Sequence, residues 1–154
     1  MAGNYSKIIW VNWEHDATSQ IIIGRYEVSV SGWELYFTES GAIDYLTLRH
    51  HHAGGASLRT AVSSVGWVPG TWFCVGISRV GGVCKMYRNG TEIVATGDTL
   101  IDPETCTQDV TIATRYTKNA NWYKGYLSRP RIWNRALTDL EFKTIYELDK
   151  RWFP

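Results

Sequence analysis

Short runs in which apolar and polar residues alternate make up much of the 154-residue chain. In residues 32–38 every second position is apolar, namely Trp33, Leu35 and Phe37. That period of two is typical of a β-strand buried on one face. Residues 8–13 are apolar on both sides of the period, so the pattern predicts a central strand there.

Further strands are predicted wherever such runs are bounded by turn residues. Ser40-Gly41 and Asn89-Gly90 are two of these turns, and Asn-Gly is a strong hairpin signal. The predicted strands are residues 8–13, 20–24, 32–38, 43–49, 58–62, 71–80, 83–88, 92–96, 110–113 and 125–133. Short strands at this spacing predict an all-β, antiparallel two-sheet sandwich in a single domain, residues 1–154.

One short C-terminal helix is predicted after the last strand. Thr138 and Glu141 form a capping box, in which each side chain accepts a hydrogen bond from the other residue's backbone N–H. Leu137 and Phe142 flank the cap at the positions of a hydrophobic staple. The apolar residues that recur at near-helical spacing are Leu140, Phe142, Ile145, Tyr146 and Leu148.

Two motifs resemble those of a known family. Residues 125–141 follow the pattern G-x-L-x-x-x-R-I-W-N-R-A-L-T-x-x-E, and residues 85–90 read KMYRNG, with Trp72 some fifteen residues upstream. Together they resemble laminin-G-like domains of the concanavalin A-like superfamily, over roughly residues 8–148. The resemblance implies a jelly-roll sandwich. It leaves function open, because the superfamily includes lectins, adhesion modules, glycanases and virion proteins.

The net charge excludes some classes of partner, and the cysteines indicate the redox compartment. The formal net charge is +1 without a basic block, so neither nucleic acid nor a membrane is a predicted partner. No apolar run is long enough to span a bilayer, and the first residues lack the apolar region of a secretion signal.

With a hairpin turn at Gly81-Gly82, Cys84 faces about Arg79 and Cys74 faces about Asn89, so the two cysteines are too far apart for a disulfide. We therefore expect reduced cysteines, including Cys106, and a protein folded in a reducing cytoplasm.

Catalysis by paired carboxylates is not predicted. A retaining glycanase needs two carboxyl groups about 5–5.5 Å apart on one strand face. The acids closest in sequence lie in loops or at the start of the predicted helix, where they suit the helix dipole. These pairs are Glu14 with Asp16, Asp102 with Glu104, and Asp139 with Glu141.

No metal or cofactor site is predicted either. His50, His51 and His52 have no nearby acid or cysteine, and the glycines that follow suggest a loop, so we expect solvated histidines. Residues 98–104 hold three acids that a calcium ion could recruit, but a polar loop is the simpler interpretation. Ser128 stands where relatives commonly have an acid, and two arginines follow it.

A recognition surface is predicted in residues 115–124, RYTKNANWYK. Aromatic rings stack on sugar C–H groups and amides bond hydroxyls, and the same residue types occur in protein interfaces. Packing of the aromatic rings over a sheet end is the third interpretation. The candidate ligand-binding residues are Tyr116, Asn119, Asn121, Trp122 and Tyr123.

The final aromatic residues suggest a contact with a partner. Trp152 and Phe153 are either tucked into the sandwich or offered to a neighbouring subunit. With no secretion signal and no catalytic set, the leading hypothesis is a non-catalytic structural or adhesion protein of a phage virion. It would be assembled in the host cytoplasm and decorate a capsid or tail protein, or self-associate, with surface glycans as further ligands. The alternative is a free-standing lectin or carbohydrate-binding module, and the third is a glycan-cleaving enzyme.

Overall fold

Two antiparallel sheets face each other in the computed structural model, which describes residues 3–40, 43–61 and 66–154. The five-stranded sheet has the order β11-β1-β6-β7-β8 and the six-stranded sheet the order β10-β2-β3-β4-β5-β9. The strands are β1 (Tyr5–Trp13), β2 (Gln20–Glu27), β3 (Ser31–Ser40), β4 (Ile43–His52), β5 (Gly55–Ala61), β6 (Phe73–Val80), β7 (Val83–Arg88), β8 (Thr91–Ile93), β9 (Ala95–Gly97), β10 (Thr111–Ile112) and β11 (Gly125–Trp133). The predicted all-β sandwich is confirmed.

Several strand predictions differ from the structure in their bounds: β2 extends to Glu27 and β5 begins at Gly55, each three residues beyond the predicted bound. The predicted strand 92–96 is two strands, because the chain leaves the five-stranded sheet after β8 and joins the six-stranded sheet as β9. The strand predicted to end at Arg49 continues to His52. Gly41 of the predicted turn and Val62 of a predicted strand lie outside the described residues.

The main core fills the space between the sheets. The apolar side chains of residues 32–38 point into it, as their alternation predicts, and the Phe37 ring stacks on Trp13 with 4.4 Å between centroids. Trp67 packs edge-on against both rings. Burial of such large aromatic surfaces is the main stabilising term of a sandwich of this size.

A second core lies on the outer face of the five-stranded sheet, under helix α1 (Asp139–Asp149). The capping box of Thr138 and Glu141 is present, as predicted. Phe142 stacks on Tyr87 with 3.8 Å between ring centroids. A Cβ on Gly76 would lie 2.4 Å from the Phe142 ring, so the glycine allows the helix to approach the sheet.

The apolar face of α1 is narrower than the sequence suggested. Phe142 and Asp149 are buried and Ile145 and Tyr146 half-buried, which is the i, i+3, i+4, i+7 face. The prediction that Leu140 and Leu148 share this face is wrong, because they lie on the other side of the helix and are 72% and 63% exposed.

The chain ends in a 3₁₀ turn (Lys150–Trp152) that returns over the same sheet. Phe153 lies against Trp10 and Trp72, while Trp152 is largely exposed. Buried Asp149 anchors this end by accepting hydrogen bonds from the guanidiniums of Arg129 and Arg131.

Polar groups occupy one end of the main core. The prediction that His50–His52 are solvated loop residues is wrong, because all three belong to β4, where His51 and His52 are half-buried and His50 is fully buried. Its Nε2 lies 2.6 Å from the Tyr5 hydroxyl and its Nδ1 lies 2.9 Å from the Ile101 carbonyl oxygen, and burial lowers its pKa to about 4. Lys7 is also buried, with its Nζ 3.6 Å from the centroid of the Tyr5 ring, and burial holds the pKa of this amine well below its usual range.

The three cysteines are free and buried, as expected for reduced core residues. The register pairs Cys84 with Arg79, and the Asn89 amide donates to the Cys74 carbonyl, so the predicted hairpin geometry is confirmed. Burial raises the pKa of the Cys74 and Cys84 thiols to about 12.

The sheets end in short or interrupted edge strands. β8 and β9 have three residues each and β10 has two. The longer edge strand β11 contains Pro130, which has no N–H, and Arg129, whose φ of 51° is left-handed.

Candidate functional site

The outer face of the six-stranded sheet is not covered by α1 or by the chain end, both of which pack on the other sheet. We call the part of it formed by β2 to β5 the open face. Its side chains follow from the period of two and the strand register: Tyr26 on β2, Glu34, Tyr36 and Thr38 on β3, Tyr45, Thr47, Arg49 and His51 on β4, and Leu58 and Thr60 on β5. The face is therefore rich in hydroxyl, aromatic and charged groups, although Tyr26, Tyr36 and Thr47 are themselves buried.

Glu34 lies at the centre of a charged cluster on the open face. Its Oε1 accepts from Arg49 Nη1 at 2.9 Å and from Arg115 Nη2 at 3.3 Å, and its Oε2 accepts from Arg115 Nε at 3.3 Å. The Glu34 side chain is 1% exposed, whereas those of Arg49 and Arg115 are 25% and 19% exposed. Burial raises the pKa of the Glu34 carboxyl, and the Arg115 and Arg49 guanidiniums act in the opposite direction.

Two tyrosines hold the Arg49 guanidinium in place. Arg49 Nη2 donates to the Tyr36 hydroxyl at 2.8 Å, and its guanidinium carbon lies 5.0 Å from the Tyr36 ring centroid and 5.8 Å from that of Tyr26. Burial raises the pKa of the Tyr36 phenol, so the hydroxyl stays protonated near neutral pH. The arginine is thus presented at a defined position, with part of its surface accessible.

Arg115 reaches this cluster from the far side of β2. It follows β10, whose Thr111 pairs with Gly24, and Gly24 pairs with Glu34 on the other side. A Cβ on residue 24 would lie 3.0 Å from the Cβ of Glu34. A side chain at position 24 would therefore crowd Glu34, the residue that both arginines bind.

The loop predicted to be a recognition surface begins with this same Arg115. It is tied to the start of β2, because the Ile21 amide donates to the Asn121 carbonyl and Asn121 Nδ2 donates to the Ser19 carbonyl at 3.0 Å. Ile21 pairs with Tyr36, so the loop backbone lies beside the open face. Lys118 and Asn121 have left-handed φ values of 54° and 57°, a conformation that such bonding must hold in place.

The five predicted loop residues differ in exposure. Trp122 is 52% exposed, Asn119 is exposed and Tyr116 is half-buried, so these three can meet a ligand. Asn121 uses its amide to hold the loop, and Tyr123 packs against the main core. Ligand binding by this set stays a prediction, and its accessible part is smaller than the sequence suggested.

The acids considered for catalysis each interact with a different partner and do not face one another in pairs. Asp16 pairs with Lys124, Asp102 accepts from Arg79 Nη1 at 2.6 Å, and Asp139 accepts from the Tyr87 hydroxyl at 2.6 Å. Glu141 caps α1, and its pKa is lowered to about 2 by Arg135 and the Thr138 amide. On the described open face, Glu34 is the one carboxylate.

Candidate metal ligands are also engaged elsewhere. Asp98 Oδ2 accepts from the Leu58 amide, while Asp102 binds Arg79, so these two acids of the 98–104 loop do not converge. Within residues 3–40, 43–61 and 66–154, no three His, Cys, Asp or Glu side chains gather as a metal site would require. Over the same ranges, no helix has the length and apolar character needed to cross a membrane.

Sequence reasoning missed the Glu34–Arg49–Arg115 cluster. The pattern in β3 does indicate the position of one member, because Glu34, like Tyr36, alternates with core residues. The alternation places them on an outer face, but the pairing of β3 with β4 that brings Arg49 opposite Glu34 depends on the turn between the strands.

Comparisons with known proteins agree on the fold. The family model described as the concanavalin A-like lectin/glucanases superfamily matches residues 2–142. No curated protein sequence matches the chain significantly.

Several solved structures share the architecture at low identity. Domain 4 of AbnA, a GH43 extracellular arabinanase from Geobacillus stearothermophilus in complex with arabinotriose, is 20% identical with a TM-score of 0.72 and covers 94% of this chain and 67% of its own. The Ruminococcus gnavus IT-sialidase CBM40 bound to α2,3-sialyllactose is 11% identical with a TM-score of 0.67, covering 94% and 83%. The botulinum neurotoxin serotype G binding domain is 14% identical with a TM-score of 0.69; it covers 96% of this chain, which spans only 37% of the toxin chain.

Proposed function

Because the chain belongs to the concanavalin A-like lectin/glucanases superfamily, we propose that it is a non-catalytic glycan-binding domain that holds its ligand on the open face. The observation that carries this proposal is that the guanidinium-bearing side chains of Arg49 and Arg115 stay partly exposed on the open face, next to the loop that carries the exposed Trp122. Sugar recognition uses apolar contact with ring C–H groups and hydrogen bonds to hydroxyls, and this face offers both.

Similar structures support the same class of ligand. The arabinanase domain is in complex with arabinotriose, and the sialidase module is bound to α2,3-sialyllactose. Their sugars differ, so the likeness supports glycan binding as a class without selecting a sugar. Among the described side chains of the open face, the one carboxylate is already bonded to two arginines, which supports binding without hydrolysis.

A glycan array followed by calorimetry tests the proposal. We expect the purified protein to bind at least one oligosaccharide, and Trp122→Ala to weaken that binding by about fivefold, since one lost stacking contact is worth about 1 kcal/mol. Trp152→Ala is the matched control, because Trp152 is similarly exposed, at 58% against 52%, but lies with the chain end that packs on the opposite sheet. Absence of binding to any glycan, or equal loss in both variants, would contradict the proposal.

Attachment to a viral capsid or tail remains a prediction from the sequence. One structural observation supports a second contact surface: the indole of Trp152 is exposed on the side of the sandwich away from the open face. A domain could then be held by one side and bind glycans with the other. Co-purification of the protein with assembled particles, reduced by Trp152→Ala and unaffected by Trp122→Ala, is the expected result.

A further inference from the structure

The positive charge of the open face favours one chemical class of sugar. We infer that the ligand is an acidic glycan whose sugar carboxylate binds the Arg49 and Arg115 guanidiniums, an inference that rests on the proposed function. It deepens that proposal by naming the chemical class of the ligand.

The first argument is the charge of the cluster. Two guanidiniums share the single Glu34 carboxylate, so the three groups together carry one positive charge in excess. No other acid among the described residues lies within ion-pair distance of Arg49 or Arg115. A partly buried cation without its own counter-ion is poorly solvated, so an anionic ligand gains more there than at an open surface.

The second argument is which atoms a ligand can reach. Glu34 is nearly inaccessible and its oxygens already accept three hydrogen bonds. Arg49 and Arg115 keep about a quarter and a fifth of their side-chain surface exposed, at 25% and 19%. An approaching sugar can therefore contact the two arginine side chains, whereas the acid between them is nearly inaccessible to it.

The third argument is the geometry of the donors. Arg115 already binds one carboxylate in the two-bond manner, through Nε and Nη2 to Glu34. Planar guanidinium groups favour such paired bonds with carboxylates. Thr60, which is half-buried and pairs with Thr47 on the neighbouring strand, adds a hydroxyl group to the same face for the remaining sugar hydroxyls. A sialic or uronic acid combines these two features, a carboxylate and several hydroxyls.

Titration calorimetry with five probes tests the inference: 3′-sialyllactose, a glucuronate-containing tetrasaccharide, a sulfated lactose, lactose and arabinotriose. We expect one of the carboxylated probes to bind about fivefold more tightly than lactose, because one partly exposed ion pair contributes up to about that factor. Raising the salt from 50 to 500 mM is expected to remove most of that advantage, because screening weakens exposed charge pairs.

Variants then assign the effect to the cluster. Arg49→Gln and Arg115→Gln are each expected to weaken binding of the acidic probe more than binding of lactose, so that the preference for the acidic probe is lost. Arg135→Gln is the matched control, because Arg135 also binds one carboxylate, that of Glu141, but lies next to α1. Should Arg49→Gln fail to fold by circular dichroism, Arg115→Gln and the salt series on the unmodified protein decide.

The outcomes separate the two proposals. If lactose or arabinotriose binds as tightly as the acidic probes, the acidic class is wrong and glycan binding stands. If only the sulfated probe binds, the carboxylate is wrong and the anionic class alone survives. If none binds here or on the glycan array, the proposed function itself falls.

Discussion

Phe153 stacks on Trp10 with 4.1 Å between the ring centroids and 15° between the ring planes. The two residues are almost a full chain length apart, and their contact closes the second core over the outer face of the five-stranded sheet. The chain end is therefore part of the folded domain. Of the two aromatic residues predicted to contact a partner, Trp152 is the one that keeps an accessible ring, at 58% exposure.

Removing this contact is expected to destabilise the domain. Phe153→Ala should lower the free energy of unfolding by about 2 kcal/mol, because a largely buried phenyl ring loses its packing. Trp152→Ala should lower it by less than about 1 kcal/mol, since its ring is mostly in water. Urea denaturation followed by tryptophan fluorescence checks both. Equal losses in the two variants would contradict the packing described.

Gly76 controls how closely α1 approaches the sheet. A methyl group there would lie 2.4 Å from the Phe142 ring, so Gly76→Ala must displace the helix or the ring. We expect a loss of about 1–3 kcal/mol, the usual effect of overpacking. Gly54→Ala is the control, because its nearest contact would be 3.4 Å from the His52 ring. Thermal unfolding of both variants is the measurement, and a Gly76→Ala protein as stable as the control would contradict the account.

His50 is expected to make stability depend on pH. Its pKa is lowered from 6.5 to about 4 in the folded protein, mainly by burial, and Lys7 and Arg79 act in the same direction. The unfolded chain therefore binds the proton first, and stability is lost as the pH falls from about 6.5 towards 4, by about 2 kcal/mol at pH 5.

The contribution of His50 is isolated by comparing variants. His50→Gln should remove that part of the pH dependence between pH 7 and 5. Urea denaturation at several pH values measures it. A wild-type profile no steeper than that of His50→Gln would show that the histidine is not buried in its neutral form.

The cysteines should be unreactive while the protein is folded. All three are buried, and burial raises the pKa of Cys74 and Cys84 to about 12, so little thiolate is present at pH 8. We expect a disulfide-exchange reagent such as Ellman's reagent to label no thiol in the native protein and three in guanidinium chloride. Rapid labelling of any cysteine in the native state would contradict the buried positions.

The sequence predicted those features that depend on local order. The alternation around Trp33 and Phe37 gave the strand and its buried face, and Thr138 with Glu141 gave the start of α1. Both signals are short-range, because a strand period and a capping box are defined within a few residues.

Features that depend on distant pairing were not predictable in the same way. His50 has polar neighbours in the sequence, and Gly54 and Gly55 follow shortly after it, so it resembles a loop residue. Only the register of β4 puts its ring between the sheets beside Tyr5. Arg115 lies in a polar loop of the sequence, and its hydrogen bond to Glu34 joins residues 81 positions apart. Register and loop closure are tertiary properties, which explains why the charged cluster was missed while the sandwich was not.

Three of the sheet edges consist of strands only two or three residues long, and the fourth is interrupted at Arg129 and Pro130. Unpaired strand edges are where β-proteins join one another and aggregate, and short or broken edges prevent this. Many copies of this domain can consequently lie side by side without pairing through their edge strands. Crowding of that kind raises the avidity of weak individual binding sites for a surface that carries repeated ligands.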